Sequence, residues 1–175
     1  MNKQLMWIST LLPKEINNEI ADKCLLANKD IGISERFFDF PLHISLKRTF
    51  YTDNFVDVKN DLKGLLIENG PLNINGLEVI KNKDMLWLEI VDSKELVEIH
   101  RKIDSLLNDK YQIPIDEFDK NYYPHVSLFR SEDMMKLDMM YQKIKNLKFD
   151  ELMILDTFAM GTSLDNNEFL KLERK

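Results

Sequence analysis

The rhythm of apolar and polar residues changes several times along this chain, and each change marks an element. Residues 4–12 are rich in apolar and β-branched types and predict a strand. Pro13 and Lys14-Glu15 then open a helix with Ile16, Ile20 and Cys24 at helical spacing. The stretch "LLANKDIGISERFFDF" has no clear period and reads as a loop near a site. "PLHISLKRTFY" predicts a second strand, and Asp53 stands where it would cap a helix whose apolar stripe, Phe55, Val58, Leu62, Leu65 and Leu66, ends at Gly70. "PLNINGLEVI" and "MLWLEIV" flank "KNKD" and predict a β-hairpin.

Ser93 is placed to cap a third helix with Leu96, Ile99, Ile103 and Leu107 inward, and Ser131 a fourth with Leu137, Met140, Ile144 and Leu147 inward. Between these helices lies the strand "YYPHVSLFR". "FDELMILDTFAMGTS" and "NEFLKLER" read as two closing strands separated by an "LDNN" turn. The order of elements is that of an α+β protein with a suggestion of two similar halves. No linker or low-complexity tract divides the chain.

At 175 residues, with 44% hydrophobic and 31% charged positions, the chain is long enough to bury a core without staples. The lone Cys24 excludes an internal disulfide and fits a reducing compartment. The run "LMWISTLL" is short and interrupted by Ser9 and Thr10, so it reads as a strand and not a signal peptide. A soluble, cytoplasmic monomer with no membrane partner is expected. The net charge of −6 weighs against an extended nucleic-acid surface but leaves room for a small anionic ligand.

Candidate chemistry concentrates in two places. Of three histidines, two stand in nearly the same four letters, "HISL" at His43 to Leu46 and "HVSL" at His125 to Leu128, roughly half the chain apart. Alternation along a strand places His43 with Ser45, and His125 with Ser127, on one face, while Ile44, Leu46, Val126 and Leu128 anchor the other. An imidazole can move a proton near neutral pH, and a hydroxyl two residues along can donate to a phosphate oxygen. Were the two strands to lie side by side, the histidines would flank one phosphorus atom as base and acid.

These paired motifs resemble those of the two-histidine phosphoesterase superfamily, which includes the so-called 2′-5′ RNA ligases and cyclic phosphodiesterases and is marked by two His-x-Ser/Thr-x motifs. The resemblance implies one two-lobed, duplicated domain over residues 1–175, with antiparallel sheets around a central cleft and helices outside. It also implies metal-independent chemistry without a cofactor on a 2′,3′-cyclic phosphate, a 2′-5′ linkage or a cyclic oligonucleotide. His43 and His125 would be the acid–base pair, and Ser45 and Ser127 would hold the phosphate. The partner would be a small nucleotide or an RNA end. A non-catalytic module that binds a nucleotide or RNA end in the same pocket is the alternative.

Around the motifs, alternation carries Lys47 onto the face of His43 and turns Arg48 away unless the strand bulges. Lys47 and Arg130 are candidate phosphate cations, with solvated strand ends as the plainer explanation. Of the bordering aromatics Phe40, Phe50, Tyr51, Tyr122 and Tyr123, Tyr123 is the first candidate to stack on a base. His100 lacks a serine two residues on and reads as a partly exposed structural residue on the third helix. With no His-Glu-x-x-His, paired cysteines or glycine-rich phosphate loop, neither a metal site nor ATP-dependent chemistry is expected.

Overall fold

The computed structural model describes residues 3–161 and 167–173. In chain order the elements are β1 (Gln4–Leu11), α1 (Lys14–Asn28), β2 (Glu35–Arg36), a 3₁₀ turn (Phe37–Asp39), β3 (His43–Thr52), α2 (Phe55–Asn69), β4 (Leu72–Asn82) and β5 (Met85–Asp92). Then follow α3 (Lys94–Tyr111), α4 (Glu117–Lys120), β6 (His125–Arg130), α5 (Met134–Ile144), β7 (Lys148–Leu155), β8 (Thr157–Gly161) and β9 (Asn167–Lys171).

The strands form two antiparallel sheets, in the orders β3-β1-β8-β9 and β2-β6-β5-β4-β7. The α+β architecture expected from the apolar rhythm is therefore the one observed. Each sheet buries the apolar face of its strands under helices. The inward stripes Val58, Leu62 and Leu66 of α2, Leu96, Ile99, Ile103 and Leu107 of α3, and Leu137, Met140 and Ile144 of α5 are all buried. Such burial of amphipathic faces, more than helix propensity, holds short helices in place. No helix among the described residues is long and apolar enough to cross a membrane.

Several boundaries differ from the sequence expectation. Helix α1 runs on to Asn28, because Asn28 closes it by bonding both backbone groups of Ile33, at 2.9 and 2.8 Å. Leu25 and Leu26 are exposed, which breaks the apolar period and hides the last turn from sequence reasoning. Asn54, and not Asp53, is the N-cap of α2. Asp133, and not Ser131, caps α5 by accepting from the Met135 and Lys136 amides, while the Ser131 hydroxyl accepts from the Asp133 amide. The segment without a clear period is not wholly loop: it contains β2 and the 3₁₀ turn.

The run "FDELMILDTFAMGTS" is two strands in two sheets. Asp156 is the joint: its carbonyl accepts from the Leu172 amide at 2.7 Å and its carboxylate from the Thr157 hydroxyl at 2.8 Å. A continuous apolar run looks the same whether it stays in one sheet or crosses to another, so only the pairing reveals the switch. Most of the expected "LDNN" turn lies outside the described residues.

Candidate active site

The two histidine strands, β3 and β6, belong to different sheets and lie against each other where the sheets meet. Each motif contributes the same pattern of burial: histidine and serine half-buried, the residues after each of them fully buried. His43 and His125 are near enough for the charge of the first to be felt by the second.

Both strands bulge at the same letter of the motif. Ser45 pairs with Ser9 but Lys47 with Ile8, so Leu46 is an extra residue in β3. Ser127 pairs with Trp87 but Phe129 with Leu86, so Leu128 is an extra residue in β6. A bulge sends two successive residues to one face and resets the alternation beyond it. Lys47 and Phe129 consequently turn into the core, with 4% and 0% of their surface exposed. Arg48 and Arg130 return to the face of the histidines and are exposed.

This corrects the placement of Lys47. Its ammonium does not share the face of His43 but sits between two buried carboxylates, 2.8 Å from Asp104 Oδ1 and bonded to Asp119 Oδ2. Arg130 donates to Asp84 at 2.8 Å and lies 4.0 Å from Glu35. At about 3.3 Å per residue, five residues from His125 put its Cα about 16 Å along the strand. Arg48 stands at the matching distance from His43, with its guanidinium over the Phe118 ring. These arginines lie on the histidine face but far along their strands from the histidines themselves.

The two imidazoles are held alike. His43 Nδ1–H donates to the Pro41 carbonyl at 3.1 Å, and His125 Nδ1–H to the Tyr123 carbonyl at 2.8 Å. A carbonyl can only accept, so each bond places the proton on Nδ1 and leaves Nε2 as the nitrogen that exchanges one. Burial, the largest influence, lowers the pKa of His125 below the usual imidazole value; the charge of His43 acts the same way, while the Tyr123 carbonyl partly opposes them.

Each histidine also has a tryptophan beside it on the neighbouring strand. Trp87 stacks on His125 with ring centroids 3.7 Å apart at 18°, and Trp7 is tilted against His43 at 6.0 Å and 44°. Both tryptophans were missed in the sequence, because they adjoin the motifs only through strand pairing. Glu89 was missed for the same reason: it lies directly opposite His125 in β5 and accepts from the Tyr123 hydroxyl. Burial and this bond raise the Tyr123 phenol to about 12. Tyr123 precedes β6 and is exposed, with its ring 6.4 Å from that of Trp87, so it stands at the rim beside His125. Of the other bordering aromatics, Phe40 and Tyr51 are exposed and Phe50 is buried in the core.

His100 is buried, not partly exposed, with 2% of its surface accessible. Its Nδ1 faces the Leu46 carbonyl at 2.7 Å, and its Nε2 faces the Asp119 carbonyl and Asp104 Oδ2, each at 3.2 Å. His100, Asp104 and Asp119 have the donor types of a metal site. The Lys47 ammonium, bonded to both carboxylates, supplies there the positive charge that a cation would.

The sequence profile of the 2′-5′ RNA ligase superfamily matches residues 32–167. No curated protein sequence matches the chain at a significant level. Among solved structures, E. coli LigT in its apo form is 14% identical with a TM-score of 0.65, covering 100% of this chain and 98% of LigT. A phosphoesterase is 13% identical with a TM-score of 0.64, over 99% and 98%. Kluyveromyces marxianus Usb1 is 14% identical with a TM-score of 0.56, over 98% and 99%. LigT has also been crystallised with 3′-AMP and with ATP. At these identities the structural likeness speaks to the fold, whereas the profile embraces both histidine motifs and most of the sequence: the protein belongs to the 2′-5′ RNA ligase superfamily.

Proposed function

We propose that the protein is a metal-independent phosphodiesterase acting on a nucleotide-like phosphodiester, such as a 2′,3′-cyclic phosphate, a 2′-5′ linkage or a cyclic oligonucleotide. The observation that carries this reading is the matched pair of Nδ1–carbonyl bonds, which prepares both Nε2 atoms for proton transfer on strands that abut. Two equivalent proton-transfer groups are what an in-line displacement at phosphorus needs, and a simple binder does not. The solved LigT complexes with 3′-AMP and ATP support a nucleotide-like ligand.

In the mechanism we infer, His125 is the base, because burial keeps it neutral. Its Nε2 takes a proton from water as the water oxygen bonds to phosphorus. The bond from phosphorus to the departing ribose oxygen breaks, and His43 Nε2–H protonates that oxygen. Ser45 and Ser127 donate to the non-bridging oxygens, where negative charge grows. Tyr123 and Arg130, with Arg48 at the matching position, contact the more distant parts of the substrate. Lys47, buried behind the strand and bonded to Asp104 and Asp119, does not contact the phosphate.

The test is incubation of the purified protein, with chelator present, against 2′,3′-cyclic nucleotides, 2′-5′-linked oligomers and cyclic oligonucleotides. Turnover that is lost in His43→Ala and in His125→Ala is expected. Turnover that survives in both variants would overturn the mechanism.

A further inference from the structure

The motif strand β3 is gripped from behind at three successive residues. The Tyr122 hydroxyl donates to the Ser45 carbonyl at 3.0 Å, His100 Nδ1 meets the Leu46 carbonyl at 2.7 Å, and Lys47 is bonded to Asp104 and Asp119. The gripping groups come from α3, from α4 and from the segment that leads into β6. Tyr122 stands three residues before His125 and stacks on His100, with ring centroids 3.8 Å apart at 14°. One buried cluster therefore touches both the bulge of the first motif and the approach to the second.

The groups facing His100 are the Leu46 carbonyl from β3, Asp104 from α3, the Asp119 carbonyl from α4 and Tyr122 from the approach to β6, with the Phe118 ring edge-on; Lys47 from β3 is linked to it through Asp104, which both contact. Every polar atom within bonding distance of either ring nitrogen is an acceptor, two carbonyl oxygens and a carboxylate. A neutral imidazole has one N–H and would leave one side unmatched; an imidazolium satisfies both. Two cations, Lys47 and His100, then balance two anions, Asp104 and Asp119. This balance is what makes so much buried charge tolerable.

We propose that His100 is a positioning residue, held as an imidazolium, which through Leu46 fixes the bulge of β3 and with it the aim of Ser45 and His43 toward His125. His100 touches neither the phosphate nor the reacting atoms. Its effect on rate rests on the phosphodiesterase reading above, whereas its charge and its grip on the strand do not.

Nitrogen NMR of the histidine rings, together with His100→Gln and the milder Tyr122→Phe, tests this. In the wild-type protein at pH 7 both His100 ring nitrogens are expected to be protonated. With a 2′,3′-cyclic nucleotide, kcat is expected to fall about tenfold to a hundredfold in His100→Gln and less in Tyr122→Phe, with KM nearly unchanged, as misplacement of reacting groups produces. A neutral His100 at pH 7, or variants that lower Tm while kcat stays intact, would overturn the proposal. If the wild type turns over no such ester, the phosphodiesterase reading fails by itself. The ring signals of His43 and His125 then decide: they shift in Tyr122→Phe if the grip sets their placement, and stay put if it does not.

Discussion

The two histidine strands are alike on the face that carries the histidines and different on the side that faces the core. Histidine, serine, the bulged leucine and an arginine three residues after the serine recur in β3 and β6, as does the bond from Nδ1 to a carbonyl two residues earlier. Behind the bulges the halves part. Phe129 packs edge-on against Phe38, with centroids 5.0 Å apart, whereas the matching Lys47 enters a cluster of four charges. Beside the histidines the contrast is between Leu11, opposite His43, and Glu89, opposite His125. The chemistry we propose requires the repeated face, and any support that holds the bulge will serve it.

The largest effects are expected where the halves are equivalent. His43→Ala and His125→Ala should each lower turnover of a cyclic phosphate by about 10²–10⁴-fold, the usual contribution of one general acid or base. Losses of similar size, measured by kcat at saturating substrate, would confirm that both imidazoles transfer protons. A loss in one variant only would break the symmetry of the pair.

The supports differ in kind, so their loss should differ in character. Phe129→Ala is expected to cost about 3–5 kcal/mol of stability by leaving a cavity, at all moderate pH values. Lys47→Met should cost about 3–5 kcal/mol at neutral pH by leaving Asp104 and Asp119 buried with too little positive charge. Only the second deficit should shrink in acid, because Lys47→Met removes one of the bonds that lower the Asp104 pKa, so that its carboxyl takes up a proton at higher pH than in the wild type. Denaturant titrations at pH 7 and pH 4.5 separate the two cases.

Smaller effects follow from the histidines' opposite shifts. The pKa of His125 is lowered, chiefly by burial, so its contribution to stability is present above the ordinary value of 6.5 and lost as pH falls through the lowered one. For His100 burial pulls down, but the bonds to Asp104, Leu46 and Asp119 outweigh it and the pKa is raised. Its contribution is whole below 6.5 and fades as pH rises through the raised value. Urea midpoints from pH 5 to pH 9 should therefore decline more gently on the alkaline side in His100→Gln than in the wild type. Activity should keep its acid limb below pH 6.5 if His125 is the base. The smallest effect is spectroscopic: in Glu89→Gln the Tyr123 phenol, held at about 12, should drop part of the way toward 10, as ultraviolet titration would show.

Much of this was legible in the residues because it depends on neighbours in sequence. The α+β order, the buried helix stripes and the shared face of His43 with Ser45 and of His125 with Ser127 follow from periods of 3.6 and 2. Those periods fail wherever a residue is inserted or a strand changes partner. Lys47 was misplaced because a bulge shifts the count by one, and bulges are set by register with another strand. Trp7, Trp87 and Glu89 could not be tied to the histidines because strand pairing brings them there.

By itself, then, the sequence determined the two identical chemical faces and the apolar anchors beside them, since these lie within four consecutive letters. Tertiary structure alone decided that the two histidine strands come together, that Lys47 and His100 are buried with Asp104 and Asp119, and that His125 sits on a tryptophan. The reason is physical: local alternation aims a side chain, but burial, charge balance and proton affinity depend on groups that come from distant parts of the chain.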